Sequence, residues 1–315
     1  MIQYFCPDLT LKSSGIRLLY KHVALLNRHG LPAAILHHKA GFGLDDVPEV
    51  PVRYLSQRGA LHKGDVVVIP EGFTNVMETL KEHPLRRIVI SLAWSYIYPP
   101  LSHGGDWRDL GIERVIVNSP FVGEFIEWSM NLPTHLFTVG IDPMLYYHAP
   151  AEKVPQISYI ERKQTTCEYL QRIFRSRNPA FVTDIAWKGH SDLSAAEYAA
   201  EIRKSIVFLN MSPAEGLPVS MLEAMHAGTL VAGYHSVGGQ RELIGAGEKQ
   251  NCVLSENFDY VTLARKLEPL LSDILEGNLE RWDHILRAGM QLSSRYTIEE
   301  EERTVLGMWE EILDE

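Results

Sequence analysis

Short apolar runs recur along the chain, separated by stretches of helical period. Residues 2–6 (IQYFC), 32–36 (PAAIL), 65–69 (DVVVI), 87–91 (RIVIS), 114–118 (RVIVN) and 135–139 (HLFTV) are brief, mostly β-branched and bounded by turn residues. Runs of this kind predict strands buried on both faces, as in a parallel sheet covered by helices. Between the first two, Ile16, Leu19, Val23 and Leu26 recur at three- and four-residue spacing, with Arg17, Lys21 and Arg28 on other faces. That spacing predicts an amphipathic helix, stopped by Gly30 in the left-handed position that commonly ends one. Gly140-Ile141-Asp142-Pro143 then punctuates the chain and places a domain boundary near residue 143.

The pattern restarts beyond it. Residues 156–160 (QISYI), 181–185 (FVTDI), 205–209 (SIVFL), 229–233 (TLVAG) and 251–254 (NCVL) read as a second set of short strands. The last segment opens with a Thr-x-x-Glu capping pair at Thr297 and Glu300, and carries an apolar stripe of Val305, Met308, Trp309, Ile312 and Leu313. The acidic run 299–302 suits the start of that helix. Two successive α/β units are expected, with ligands outside the carboxyl ends of their strands.

Composition narrows the function classes. With 45% hydrophobic and 22% charged residues over 315 positions, the chain is neither disordered nor fibrous. No apolar run reaches the ~20 residues that cross a bilayer, and the first fifteen residues lack the pattern of a secretion signal. Cys6, Cys167 and Cys252 stand alone, which fits a reducing compartment, so a cytoplasmic protein is expected. The net charge of −10 argues against nucleic-acid binding. Residues 1–150 hold 13 basic against 14 acidic side chains, and the remainder 17 against 26, so the acidity lies in the second half. The first half is close to neutral, which leaves at most a peripheral membrane contact through Arg17, Lys21 and Arg28.

Residues 205–244 carry the most chemistry. A strand leads to Glu215, and Gly216-Leu217-Pro218 open a helix that Gly228 closes. A helix start exposes unpaired N–H groups and a dipole that together favour an anion. Glu223 stands roughly 6 Å along the axis from Val219. Two carboxylates flanking an anion site suit a ligand with hydroxyls at both ends and phosphate between, as in a nucleotide sugar. An ordinary helix start with a solvated Glu gives the same pattern, and spacing alone leaves both readings open.

In that segment Glu215, seven intervening residues and Glu223, within EGLPVSMLEAMHAG, resemble the signature of family-4 retaining glycosyltransferases of the GT-B fold. Further matches follow in order: SSGIRLLYKHVALLNRHGLPAAIL, RVIVNSPFV, VGIDPMLYY and ISYIERK. The resemblance implies an α/β chain of two Rossmann-like parallel-sheet domains facing a central cleft. It assigns residues 1–143, with a crossover helix at 297–315, to an acceptor domain, and residues 144–296 to a nucleotide-sugar-binding domain. It implies that Glu223 holds the ribose hydroxyls and Glu215 the donor sugar. The backbone of Gly216, Leu217, Pro218, Val219 and Ser220 would receive phosphate, and Arg162 and Lys163 would neutralise the leaving diphosphate. Ser14 and Gly15 would approach the same diphosphate. Gly238 and Gly239 would wall the sugar pocket or form only a turn.

The chain departs from the family pattern at two places. Arg162 and Lys163 are adjacent, where relatives carry a Lys several residues later. The position after RIVIS, a His in many relatives, reads Leu92-Ala93-Trp94. His103 and Trp94 are the remaining candidates for sugar or acceptor contact, with ordinary loop and core roles as their alternatives. No Asp-x-Asp occurs, so no metal and no cofactor beyond the donor are expected, and a uridine nucleotide is the first donor to test. Glycan, lipid-linked and small-molecule acceptors all remain. The rival readings are a binding subunit that has lost turnover, and a GT-B-fold epimerase or phosphorylase.

Overall fold

A computed structural model of the chain describes residues 1–10, 13–161 and 164–314. The chain divides into two units, Met1–Thr138 with Glu299–Glu315, and Val139–Ile298. Gly140-Ile141-Asp142-Pro143 therefore lies just inside the second unit.

The first unit runs β1 (Ile2–Phe5), α1 (Ser14–Arg28), β2 (Ala33–His37), β3 (Val52–Tyr54), β4 (Val66–Pro70), α2 (Thr74–Leu80), β5 (Arg86–Ser91), β6 (Arg114–Val117), α3 (Pro120–Met130) and β7 (Thr134–Leu136). All seven strands are parallel, in the order β3-β2-β1-β4-β5-β6-β7. β1 and β2 are buried end to end and β4 over all but its last residue, which is why they read as continuous apolar runs. β3 lies at an edge with one exposed and two half-buried residues, and it left no such run in the sequence.

In α1 the Ser13 hydroxyl accepts a hydrogen bond from the Ile16 N–H at 3.3 Å, and the predicted stripe of Ile16, Leu19, Val23 and Leu26 is buried. Gly30 has φ +76°.

The second unit runs β8 (Val154–Ile160), α4 (Gln164–Arg177), α5 (Ala180–Thr183), β9 (Ala186–His190), α6 (Ala195–Lys204), β10 (Ser205–Asn210), β11 (Ala214–Glu215), α7 (Val219–His226), β12 (Leu230–Tyr234), β13 (Val237–Gly238), β14 (Cys252–Ser255), α8 (Tyr260–Glu276) and α9 (Asp283–Ser293). Five strands form a parallel sheet in the order β14-β12-β10-β8-β9, and β11 pairs with β13 separately. One expectation is corrected here. Residues 181–185 form no strand: Phe181, Val182 and Thr183 lie in α5, and β9 begins at Ala186. Phe181 and Ile185 are both buried at helical spacing, and the Asn178 side-chain oxygen accepts from the Ala180 N–H at 3.1 Å to start the turn.

The final helix, α10 (Ile298–Asp314), returns to the first unit. Val305, Met308, Trp309 and Ile312 are buried as predicted, whereas Leu313 is exposed. The Trp309 indole donates to the Tyr4 hydroxyl at 3.0 Å, and the Arg86 guanidinium donates to the Ile312 carbonyl at 2.7 Å. The acidic run does more than favour a helix start. Lys21 pairs with the fully buried Glu301, Arg28 pairs with Glu302, and Arg17 pairs with Asp46. The basic face of α1 is thus occupied within its own unit.

Candidate functional site

In the second unit the strand order reverses between β8 and β10. Open parallel sheets bind ligands at the carboxyl ends of the strands beside such a reversal. The loop after β10 carries Glu215 and Gly216-Leu217-Pro218 and enters α7 directly, so the segment singled out by sequence stands at this point. α7 buries Met221, Leu222, Ala224 and Met225, which leaves Val219, Ser220 and Glu223 half-buried. Gly228 ends the helix at φ +62°, and a Cβ there would come within 2.4 Å of the His148 ring.

The short β11–β13 pair brings two candidates together. Glu215 stands opposite Gly238 in parallel register. Hydrogen bonds around the pair support it: the Val237 N–H and the Asn257 amide each donate to the Pro213 carbonyl at 2.9 Å, and the Ser212 hydroxyl donates to the Ala214 carbonyl at 2.9 Å. Gly238 has φ +134° and ψ −156°, a conformation essentially confined to glycine. Gly239 follows, fully covered.

Beneath the loop lies a polar lock that the sequence did not announce. The Asn210 amide donates to the Gln240 side-chain oxygen at 2.7 Å, and the Gln240 amide donates to the Tyr234 carbonyl at 2.6 Å. Gln240 is completely buried, so both bonds form away from competing water. Gly233 lets the two strand ends close in: a Cβ there would lie 2.0 Å from the Asn210 carbonyl oxygen.

Arg162 and Lys163 lie outside the described residues. Their neighbour Glu161 is accounted for, because its carboxylate accepts from the Ser191 hydroxyl at 2.6 Å. Among the described residues no group of three His, Cys, Asp or Glu side chains could hold a metal ion. The His37 ring is buried between the Tyr20 hydroxyl at 2.7 Å and the Cys6 carbonyl at 2.9 Å, and His190 meets the Ser158 hydroxyl at 2.8 Å.

The other candidates belong to the first unit. Ser14 and Gly15 form the first turn of α1 rather than the loop before it. A Cβ at Gly15 would sit 3.5 Å from Leu92 Cδ1, an ordinary contact, so packing does not itself require glycine there. Trp94 is half-buried, with its ring centroid 6.5 Å from that of Phe121 and 6.1 Å from that of Phe125. His103 is exposed.

Glu71 went unnoticed in the sequence. It directly follows β4 and is 7% exposed. One of its oxygens, Oε1, accepts from the Leu92 N–H at 3.2 Å and the Ala93 N–H at 2.9 Å. Burial pushes its carboxyl up to about 7, and the hydrogen bonds to the charged form only partly offset this. The available signal was a carboxylate placed where the apolar run DVVVIP ends.

Residues 185–283 match the model of the family described as glycosyl transferases group 1. Compared with curated protein sequences, the chain has no significant match. Among solved structures it resembles a sucrose-phosphate synthase from Thermosynechococcus elongatus, at 12% identity and a TM-score of 0.72, with 99% of each chain covered. It also resembles HepE of Anabaena in complex with UDP, at 14% identity and a TM-score of 0.65, with 99% of each chain covered. A glycosyltransferase from Rickettsia africae gives 14% identity and a TM-score of 0.65, over 99% of this chain and 98% of that one. At such identities the likeness concerns the fold, and the fold is GT-B, with a parallel Rossmann-like sheet in each unit.

Proposed function

We propose that the chain is a retaining glycosyltransferase that moves a hexosyl group from a nucleoside-diphosphate sugar to an acceptor hydroxyl without a metal ion. The observation that carries this reading is the start of α7. It stands at the strand reversal of the second unit, inside the glycosyltransferase-matching region, with Glu215 set opposite Gly238 and Glu223 on the helix's second turn.

The division of labour follows from the chemistry of each group. Glu223 accepts hydrogen bonds from the vicinal ribose hydroxyls, which a carboxylate does strongly. The N–H groups of the α7 start, from Leu217 to Ser220, receive the phosphate oxygens. Glu215 holds hydroxyls of the transferred sugar, with Gly238 beside it because only glycine fits that backbone, and Gly239 next in the chain. Arg162 and Lys163, which come after β8 in the sequence, stabilise the negative charge that develops on the leaving diphosphate. The departing diphosphate takes the acceptor's proton on the face it leaves, so no covalent enzyme intermediate is required. The complex of Anabaena HepE with UDP-glucose supports a uridine donor as the first choice.

Calorimetric titration with UDP, GDP, ADP and dTDP in the absence of metal tests the site. One diphosphate should bind at micromolar level. The Glu223→Ala variant loses a charge-assisted hydrogen-bonding partner, so binding should weaken by about 10- to 100-fold. Folded protein that binds none of the four refutes the assigned site. Binding of a nucleotide sugar with neither transfer nor slow hydrolysis refutes catalysis and leaves a binding subunit.

A further inference from the structure

One acid stands where the transferase reading calls for cations. Glu161 directly precedes Arg162 and Lys163 and is the first residue beyond β8, the strand beside the reversal. On one side β8 pairs with β10, with Leu209 opposite Tyr159, and the chain beyond β10 carries Glu215 and the start of α7. Neighbouring strands run about 4.8 Å apart, and charges act on one another over roughly 8–10 Å in physiological salt. A carboxylate swung toward β10 would therefore oppose a diphosphate bound at that edge.

The structure turns the carboxylate the other way. On its far side β8 pairs with β9, with Tyr159 opposite Gly189 and Ile160 opposite His190. Ser191 is the first residue beyond β9, and its hydroxyl donates to Oε2 of Glu161 at 2.6 Å. That length belongs to a hydroxyl bonded to an ionised carboxylate. Gly189 leaves room for the side chain: a Cβ there would lie 3.3 Å from Glu161 Cβ and 2.9 Å from the Tyr159 ring. Asp192, at φ +53°, turns the chain immediately after Ser191. The two strands are already joined by the ladder from Gln156–Ala186 to Ile160–His190, and Ser191 is exposed, so the bond adds little to the fold. Its effect is on where the negative charge of Glu161 lies.

We propose that Ser191 is a positioning residue for the donor's diphosphate. It holds the Glu161 carboxylate toward β9, on the side away from β10 and α7, so that Arg162 and Lys163 act on the diphosphate unopposed. This rests on the transferase reading above and adds a residue that serves the anion site without touching the ligand.

The test is calorimetric titration of the full chain with UDP, GDP, ADP and dTDP, at about 50 and about 500 mM NaCl, because salt screens an exposed charge. The variants are Ser191→Ala, Ser191→Thr, Glu161→Gln and the double variant Glu161→Gln/Ser191→Ala. For the diphosphate that wild type binds, Ser191→Ala should bind on the order of tenfold more weakly at low salt, as one unrestrained like charge would cause. The deficit should shrink severalfold at high salt. Ser191→Thr keeps the hydroxyl and should bind as wild type does. Glu161→Gln should bind at least as tightly as wild type, and the double variant should match it, since no charge is left to hold. Equal binding by Ser191→Ala and wild type overturns the proposal. So does a deficit that salt leaves unchanged or that persists in the double variant, because damage to the loop predicts both. Tenfold weaker binding by Glu161→Gln also overturns it, by making Glu161 a ligand contact. A wild-type chain that binds none of the four overturns instead the transferase reading on which the proposal rests.

Discussion

Glu71 carries a stability cost that can be worked out in advance. Its carboxyl is raised from 4.5 to about 7 by burial, whereas an unfolded Glu ionises at its ordinary value. Between pH 4.5 and 7 the folded state keeps a proton that the unfolded state has already released. Stability therefore falls as pH rises through this window, and the loss is complete above about pH 7. The difference of about 2.5 pH units, at about 1.4 kcal/mol each, amounts to roughly 3 kcal/mol. A Gln at this position is uncharged at every pH and still accepts from Leu92 and Ala93. Glu71→Gln should then match wild type near pH 5 and exceed it by about 3 kcal/mol at pH 8. Urea unfolding at pH 5, 6, 7 and 8, followed by circular dichroism and tryptophan fluorescence, reads the difference directly, since all other titrating groups cancel between the two proteins. A difference that stays flat across this range would refute the argument.

Other expectations concern the framework. Gly233→Ala would drive a Cβ into the Asn210 carbonyl at a backbone angle unsuited to other residues, so calorimetry should show a clear drop in the unfolding temperature of the second unit. Gln240→Ala would strand the Asn210 amide and the Tyr234 carbonyl; a loss of about 2–3 kcal/mol is expected in denaturant unfolding, together with weaker nucleotide binding as the Gly238–Gly239 turn loosens. Trp309→Ala would remove a fully buried indole and its bond to Tyr4, costing the first unit about 3–5 kcal/mol in the same assay.

What the sequence disclosed was what is local. Strands of a covered parallel sheet are largely apolar, so ten of the eleven runs could be read without knowing their neighbours. Residues 181–185 show the limit, because five apolar-rich positions suit a helical turn as well as a strand, and the choice fell to Asn178 and Pro179. The loop and helix from Glu215 to Gly228 were legible because their chemistry lies in one continuous stretch. Glu71 was not, because a carboxylate beyond a strand acquires meaning only from strand order, and β1 and β4 become neighbours through pairings that no local pattern encodes. The basic residues of α1 were visible as charge, but Lys21 and Arg28 find their partners in Glu301 and Glu302, at the other end of the chain.

That last contact has a consequence for how the protein is made. The first stretch of the first unit ends at Thr138, yet its core is closed by side chains as far along as Ile312. At a synthesis rate of about 5–20 residues per second, some 9–35 s separate the two on the ribosome. Throughout that interval the Tyr4 hydroxyl and the apolar wall that receives Trp309 wait uncovered while the second unit is still being produced. The half of the chain made first is the last to finish folding, and during translation it is the half that depends on being shielded from other unfinished chains.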